Sequence, residues 1–131
     1  MTERLLLDTH AFLWWIDDNP SLSQTAREVV SNPGNEIFLS AVSVWEIAIK
    51  ARAGRLEIFS GELSAFVERQ MRENQFLPLS VTLPHSAKIH TLSNDHRDPF
   101  DQMLVAQSLV ENIPILSVDQ KIRSYGVEVI W

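Results

Sequence analysis

Residues 4–16 read RLLLDTHAFLWWI. The apolar run RLLL (4–7) reads as a buried strand, and THAFLWWI (9–16) as a short helix stopped by DDNP at 17–20. A strand that feeds directly into a helix is the building unit of a parallel sheet. Asp8 stands at the junction, at the carboxyl end of the strand, where open parallel sheets place their sites.

The pattern repeats outward from this unit. SLSQTAREVV (21–30) is a second helix with Ser21 or Ser23 as N-cap, and NPG (32–34) a turn. EIFLS (36–40) is a strand, followed by the helix SVWEIAIKARAG (43–54) ending at Gly54. SGELSAFVERQMREN (60–74) is an amphipathic helix, and FLPLSV (76–81) a short strand that Pro78 assigns to an edge. Thr82 caps LPHSAKIHTL, and SNDHRD (93–98) is a loop. PFDQMLVAQSLVEN (99–112) is a helix with Pro99 in its first turn. IPILSV (113–118) is a strand, DQKIRSYG (119–126) a short helix and VEVI (127–130) the last strand. Strands alternating with helices, with LLL and IPIL apolar throughout, predict an α/β three-layer sandwich around a parallel sheet.

At 131 residues, 45% of them hydrophobic, the chain suits one domain over residues 1–131 with one packed core. It has no cysteine, which excludes disulfides, thiolate zinc sites and cysteine nucleophiles. No stretch approaches the roughly 18 apolar residues of a membrane span, and MTERLLLD is too short an apolar run for a signal peptide. The expectation is a soluble protein of the cytoplasm. The net charge of −6 argues against a simple basic nucleic-acid binder. Setting aside the five acids considered next leaves the remainder close to neutral, so an anionic substrate is not excluded.

Asp8 ends the first strand and Asp119 ends strand 113–118. If those strands are neighbours, both carboxylates leave the same edge of the sheet. Asp98 and Asp101 open the helix that leads into the strand before Asp119, and Glu46 lies near the start of the helix after another strand. Acids from four segments therefore meet at one edge. Crowded carboxylates repel and raise one another's pKa, and a divalent cation is the natural remedy. An all-oxygen set of Asp and Glu favours Mg²⁺ or Mn²⁺ over Zn²⁺. Such a site can activate water and stabilise the charge of in-line attack on a phosphodiester.

Each acid also has a structural explanation. Ser43-Val-Trp-Glu46 fits a capping box, and Asp98 before Pro99 is a good N-cap. Asp101 suits the positive end of a helix dipole, and Asp8 and Asp119 can cap the helices they precede. Capping does not explain the shared edge, and one residue can both cap and coordinate. Of the pair in HRDPFDQMLVAQ (96–107), Asp101 is better placed to reach a metal and Asp98 to cap or support it.

The segments LLLDTHAFLWW, SAVSVWEIAIKARAGRL, HRDPFDQMLVAQ and SVDQKI resemble PIN-domain proteins of the VapC toxin type, along nearly the whole chain. The resemblance implies a five-stranded parallel sheet in the order 3-2-1-4-5. It implies catalytic, metal-holding roles for Asp8, Glu46, Asp101 and Asp119, with water attacking a phosphodiester at a metal on Asp8, Asp101 and Glu46. Asp98, Thr9 and Ser117 would support those acids by hydrogen bonding. The activity implied is a Mg²⁺- or Mn²⁺-dependent endoribonuclease, the toxin of a type II toxin–antitoxin module. It would act on RNA, be inhibited by a cognate antitoxin protein and form a homodimer. Many PIN proteins carry asparagine two residues after the first aspartate; this chain has His10.

Lys50, Arg52 and Arg55, on or after the helix of Glu46, and Arg97 beside Asp98 are candidates for RNA phosphates. Lys50 is the first of these, four residues from Glu46 on the same helical face. Trp14, Trp15 and Trp45 read mainly as core, although adjacent tryptophans cannot both face inward, which leaves one of Trp14 and Trp15 for a groove or partner. His85, His90 and His96 lack zinc spacing and read as surface or packing residues. Two other functions are compatible with acids at a sheet edge. One is a non-catalytic protein-interaction domain whose acids only cap helices. The other is a phosphoacceptor domain, disfavoured because IPILSVD offers no lysine at the end of that strand.

Overall fold

β1 (Arg4–Leu7) is the central strand of the computed structural model, which describes residues 3–56 and 61–131. Its side chains alternate between two apolar layers. Leu5 and Leu7 enter one and Leu6 the other, all three at 0% exposure. β2 (Glu36–Ser40) pairs with β1 on one side, Leu5 opposite Ile37, and β4 (Ile115–Leu116) on the other, Leu7 opposite Leu116. β3 (Leu77–Leu79) lies outside β2 and β5 (Val129–Ile130) outside β4. All pairings are parallel, in the order β3-β2-β1-β4-β5. The expected sheet order and the edge position of the Pro78 strand are therefore found.

Helices cover both faces. α1 (Thr9–Ile16), α2 (Gln24–Ser31) and α4 (Leu63–Asn74) pack Phe12, Ala26, Val67 and Met71 onto the Leu5–Leu7 layer. α6 (Pro99–Glu111) and α7 (Gln120–Arg123) pack Leu104, Val105 and Ile122 onto the Leu6 layer. α3 (Ala41–Arg52) reaches both layers, Ile47 in the first and Val42 in the second. α5 (Leu83–Lys88) packs against α6 and runs into the 3₁₀ turn Ile89–Thr91.

The boundaries differ where the chain passes between elements without a loop. α3 starts at Ala41, not 43, because Ser40 ends β2 and also caps the helix, its Oγ accepting from Val42 N at 3.0 Å. The helix stops at Arg52, two residues before Gly54, which adopts φ 76°. Ser23, not Ser21, caps α2, its Oγ accepting from Ala26 N at 3.0 Å. α6 ends at Glu111, and Asn112 turns left-handed at φ 57°. The last strands, expected at 113–118 and 127–130, contract to the rungs 115–116 and 129–130, and the helix expected at 119–126 to 120–123. α4 starts at Leu63 where 60 was expected; Ser60 lies outside the described residues.

His85, read as a surface or packing residue, is fully buried inside a polar network. Thr82 N donates to its Nδ1 at 3.1 Å, so its Nε2 carries the proton that faces Glu111 Oε2 at 2.8 Å. The tryptophans depart from their expected places. Trp14 and Trp15 are both half-buried, Trp14 edge-on to Trp131 and Trp15 donating to Asn74 Oδ1 at 2.9 Å. Trp45 is instead 54% exposed, its ring edge-on to Phe100.

Candidate active site

The carboxyl ends of β1 and β4 lie side by side because Asp8 N donates to Leu116 O at 3.2 Å. That one rung sets Asp8 beside Ser117 and Asp119. Ser117 N continues the ladder to Ile130 O at 3.1 Å, so its side chain is fixed at the same edge. Its Oγ accepts from Asp119 N at 3.0 Å. The fully buried hydroxyl also favours the ionised form of Asp8. Ser117 thus ties the two acids together. Thr9, also expected to support the site, is buried and donates to Ser43 Oγ at 2.9 Å. This bond joins the first turns of α1 and α3.

Three of the acids cap helices. Asp8 Oδ1 accepts from Ala11 N at 2.6 Å at the start of α1. Asp98 Oδ1 accepts from Phe100 N at 2.9 Å and Asp101 N at 3.3 Å at the start of α6. Asp119 Oδ1 accepts from Lys121 N at 2.9 Å at the start of α7. The other two do not. With Ser40 as N-cap, Ser43 and Glu46 lie inside α3, so the capping-box explanation of Glu46 fails. Glu46 is 6% exposed, and its Oε2 accepts from Lys50 Nζ at 2.7 Å. Asp101 lies in the first turn of α6, and among the described residues no side chain or amide donates to its carboxylate.

These groups line one cleft of about 220 Å³, formed by Asp8, Thr9, His10, Glu46, Lys50, Asp98, Asp101, Asp119 and Lys121. All the acids singled out in the sequence reach it. Burial pushes the Asp101 carboxyl up from 3.8 to about 7, helped by the charges of Asp98, Asp119, Glu46 and Asp8. Burial also raises Asp8, against the opposing effects of Ser117, the Ala11 amide and His10.

The donor set is hard, all-oxygen and anionic, and the repulsion that adds to the burial of Asp101 is the condition a divalent cation would relieve. The residues fit such an ion by chemistry. Among the described residues, no three Asp, Glu or His side chains close on one point as a finished metal cage.

Of the two basic residues that remain at the cleft, Lys121 was not put forward, and His10 was noted as the departure from the PIN pattern that could face substrate or pack. His10 begins beside Asp8 and leans on Trp14, ring centroids 5.8 Å apart. Lys121 follows Asp119 by two residues, a spacing that carries no motif. Of the basic residues that were put forward, Lys50 lines the cleft but bonds to Glu46, while Arg52, Arg55 and Arg97 are exposed outside its lining.

The PIN domain family model matches residues 5–128. Ribonuclease VapC22 of Mycobacterium tuberculosis (strain ATCC 25618 / H37Rv) is 25% identical over 122 residues, 92% of this chain and 91% of that protein. Ribonuclease VapC16 of the same strain is 43% identical over 61 residues, 47% of this chain and 43% of that protein. Among solved structures, VapBC2 from Rickettsia felis bound to a promoter DNA fragment shares the fold at TM-score 0.73 and 10% identity, covering 97% of both chains. VapBC-1 from nontypeable Haemophilus influenzae does so at TM-score 0.68 and 14% identity, covering 97% of this chain and 96% of that one.

Proposed function

The chain belongs to the PIN domain family, and from that premise we propose that it is the toxin of a type II toxin–antitoxin module, a metal-dependent endoribonuclease restrained by a cognate antitoxin. The observation that carries this reading is the Asp101 carboxyl, pushed up to about 7 first by burial and further by the charges of Asp98, Asp119, Glu46 and Asp8, acids from separate segments that share its cleft. Helix caps alone need no such crowding.

Asp8, Glu46, Asp101 and Asp119 would hold a Mg²⁺ or Mn²⁺ ion. A bound divalent cation supplies a polarised water and neutralises charge at the phosphate. Ser117 and Thr9 keep the strand-end acids and the first turns of α1 and α3 in place. Asp98 fixes the start of α6 and so the position of Asp101. Lys121 and Lys50 bring positive charge to the wall of the cleft, where an RNA phosphate would approach. Arg52 and Arg97, exposed farther out, would meet the flanking backbone.

A homodimer and an antitoxin both need apolar surface. Trp45, Leu77, Val81 and Leu83 supply it, at 54, 38, 41 and 86% exposure. Among the described residues no helix is long and apolar enough to cross a membrane, which is compatible with action on cytoplasmic RNA.

The test is incubation of the purified protein with total RNA in EDTA, Mg²⁺ or Mn²⁺, beside Asp8→Asn. Discrete fragments that require the metal and vanish in the variant are expected. No cleavage, together with no metal-dependent change in melting temperature, would favour a non-catalytic interaction domain with capping acids.

A further inference from the structure

We propose that Lys50 is the resident counter-ion of Glu46, a built-in competitor that must be displaced when a divalent cation binds the acidic cleft. The proposal rests on the metal-site reading above and adds a residue that sets the metal threshold of that site.

The geometry has three parts. First, the Glu46 side chain is 8% exposed and its Oε2 lies 2.7 Å from Lys50 Nζ. A buried carboxylate is costly without a partner, and among the described residues Lys50 is its only ion-pair partner. Second, Glu46 has little freedom to move away. Its helix is anchored by the Thr9–Ser43 hydrogen bond and by buried Val42 and Ile47. Third, Lys50 does have freedom. Its side chain is 33% exposed, and it sits in the last turn of α3, where the helix end favours a cation even after the bond to Glu46 is broken.

An ammonium group at hydrogen-bond distance neutralises the carboxylate whose charge a metal would draw on. Lys50 also adds a positive charge that a divalent ion must approach. Metal affinity is therefore set by exchange, and Lys50 keeps the buried acid neutralised in the metal-free protein. After exchange the ammonium remains tethered at the cleft, where it faces incoming phosphate. Lys121, the other lysine of the cleft, makes no ion pair with these acids among the described residues, so it is not positioned to compete in this way.

The experiment is calorimetric titration of Mn²⁺, without RNA, into metal-stripped wild type, Lys50→Met, Lys50→Gln, Lys50→Arg and Asp8→Asn. Circular dichroism confirms the fold of each. Removal of the competing charge should tighten Mn²⁺ binding of Lys50→Met and Lys50→Gln by roughly tenfold. Lys50→Arg, which keeps the charge, should stay near wild type, and Asp8→Asn should lose binding. In EDTA, Lys50→Met should melt below wild type and regain more on adding Mn²⁺. Unchanged or weaker Mn²⁺ affinity in both folded neutral variants would overturn the proposal and make Lys50 an orienting group for Glu46. Absence of Mn²⁺ binding by the wild type would overturn the metal site itself, and this inference with it.

Discussion

Replacing Asp101 by asparagine should stabilise the metal-free protein, and increasingly so as pH rises. The Asp101 carboxyl has a pKa of about 7 in the folded chain against an ordinary 3.8. Below 3.8 it is protonated in both states and costs nothing. As pH rises, the unfolded chain releases the proton first, and folding must either retain it or accept a charge among repelling neighbours. Stability is therefore full at low pH and is lost progressively up to about pH 7. At 1.36 kcal/mol per pH unit the whole loss is on the order of 4 kcal/mol, of which about 2–3 kcal/mol accrues between pH 5 and pH 8. These are upper bounds, because solvent at the partly exposed carboxyl screens the repulsion.

The side-chain amide of the Asp101→Asn variant carries no charge at any of these pH values. In urea denaturation with EDTA, the advantage of this variant over wild type should widen from pH 5 to pH 8 by at least about 1 kcal/mol. Adding Mn²⁺ at pH 8 should close the gap from the wild-type side, by about 2.7 kcal/mol at a hundred times the dissociation constant. A gap that stays constant with pH would refute the raised Asp101 carboxyl. A gap that widens but does not respond to Mn²⁺ would keep the raised carboxyl and remove the metal site.

The cap at Asp98 and the tie at Ser117 make separable predictions. Asp98→Ala should cost about 1 kcal/mol by losing the bonds from Phe100 N and Asp101 N, while Asp98→Asn should retain most of that stability. Equal losses in the two variants, measured by thermal melting, would show that charge and not capping is the role of Asp98. Ser117→Ala removes a buried hydroxyl that serves both Asp8 and Asp119, and should cost about 1–3 kcal/mol in urea denaturation at pH 8. It should also weaken Mn²⁺ binding; unchanged affinity would mean that the two acids are fixed without it.

The sequence made the strand ends legible for a physical reason. β1 and β2 are buried runs bounded by charged or polar residues, so Arg4–Leu7 and Glu36–Ser40 are found where their composition places them. Asp8 and Asp119 follow from the same reasoning, because a carboxylate at the end of a buried strand has only the sheet edge to occupy. The start of α3 was hidden because Ser40 is both the last residue of a strand and a cap, with no turn residue between. The short ladders of β4 and β5 were hidden because apolar character extends beyond the paired rungs: Ile113 and Val127 are buried outside the strands. Trp45 looked like core because a tryptophan is usually buried; only the true register of α3 shows that it faces outward. Lys50 was legible from its i,i+4 spacing to Glu46, but Lys121 was not, since a single cation near an acid has no pattern to distinguish a cleft wall from a solvated face.

Capping and the proposed metal site divide the acids between them. Asp8, Asp98 and Asp119 each give an oxygen to main-chain amides at the start of a helix, which fixes their positions relative to the backbone. A cap uses one carboxylate oxygen and leaves the other available. Glu46 and Asp101 have no cap to make: one is held by a lysine, and the other is driven toward protonation by burial and by its acidic neighbours. Fixed acids without adaptable ones would be a set of helix starts, and adaptable acids without fixed ones would swing apart into solvent. Under the proposed metal site, Lys50 and a proton on Asp101 would stand in for a divalent cation in the metal-free fold. If that is the design, metal binding must release a proton near neutral pH. Titration of Mn²⁺ at pH 7 in buffers of different ionisation enthalpy should therefore give buffer-dependent heats, and Asp101→Asn should abolish that dependence. Identical heats in all buffers for the wild type would show that Asp101 is already ionised and that the cleft holds its charge by other means.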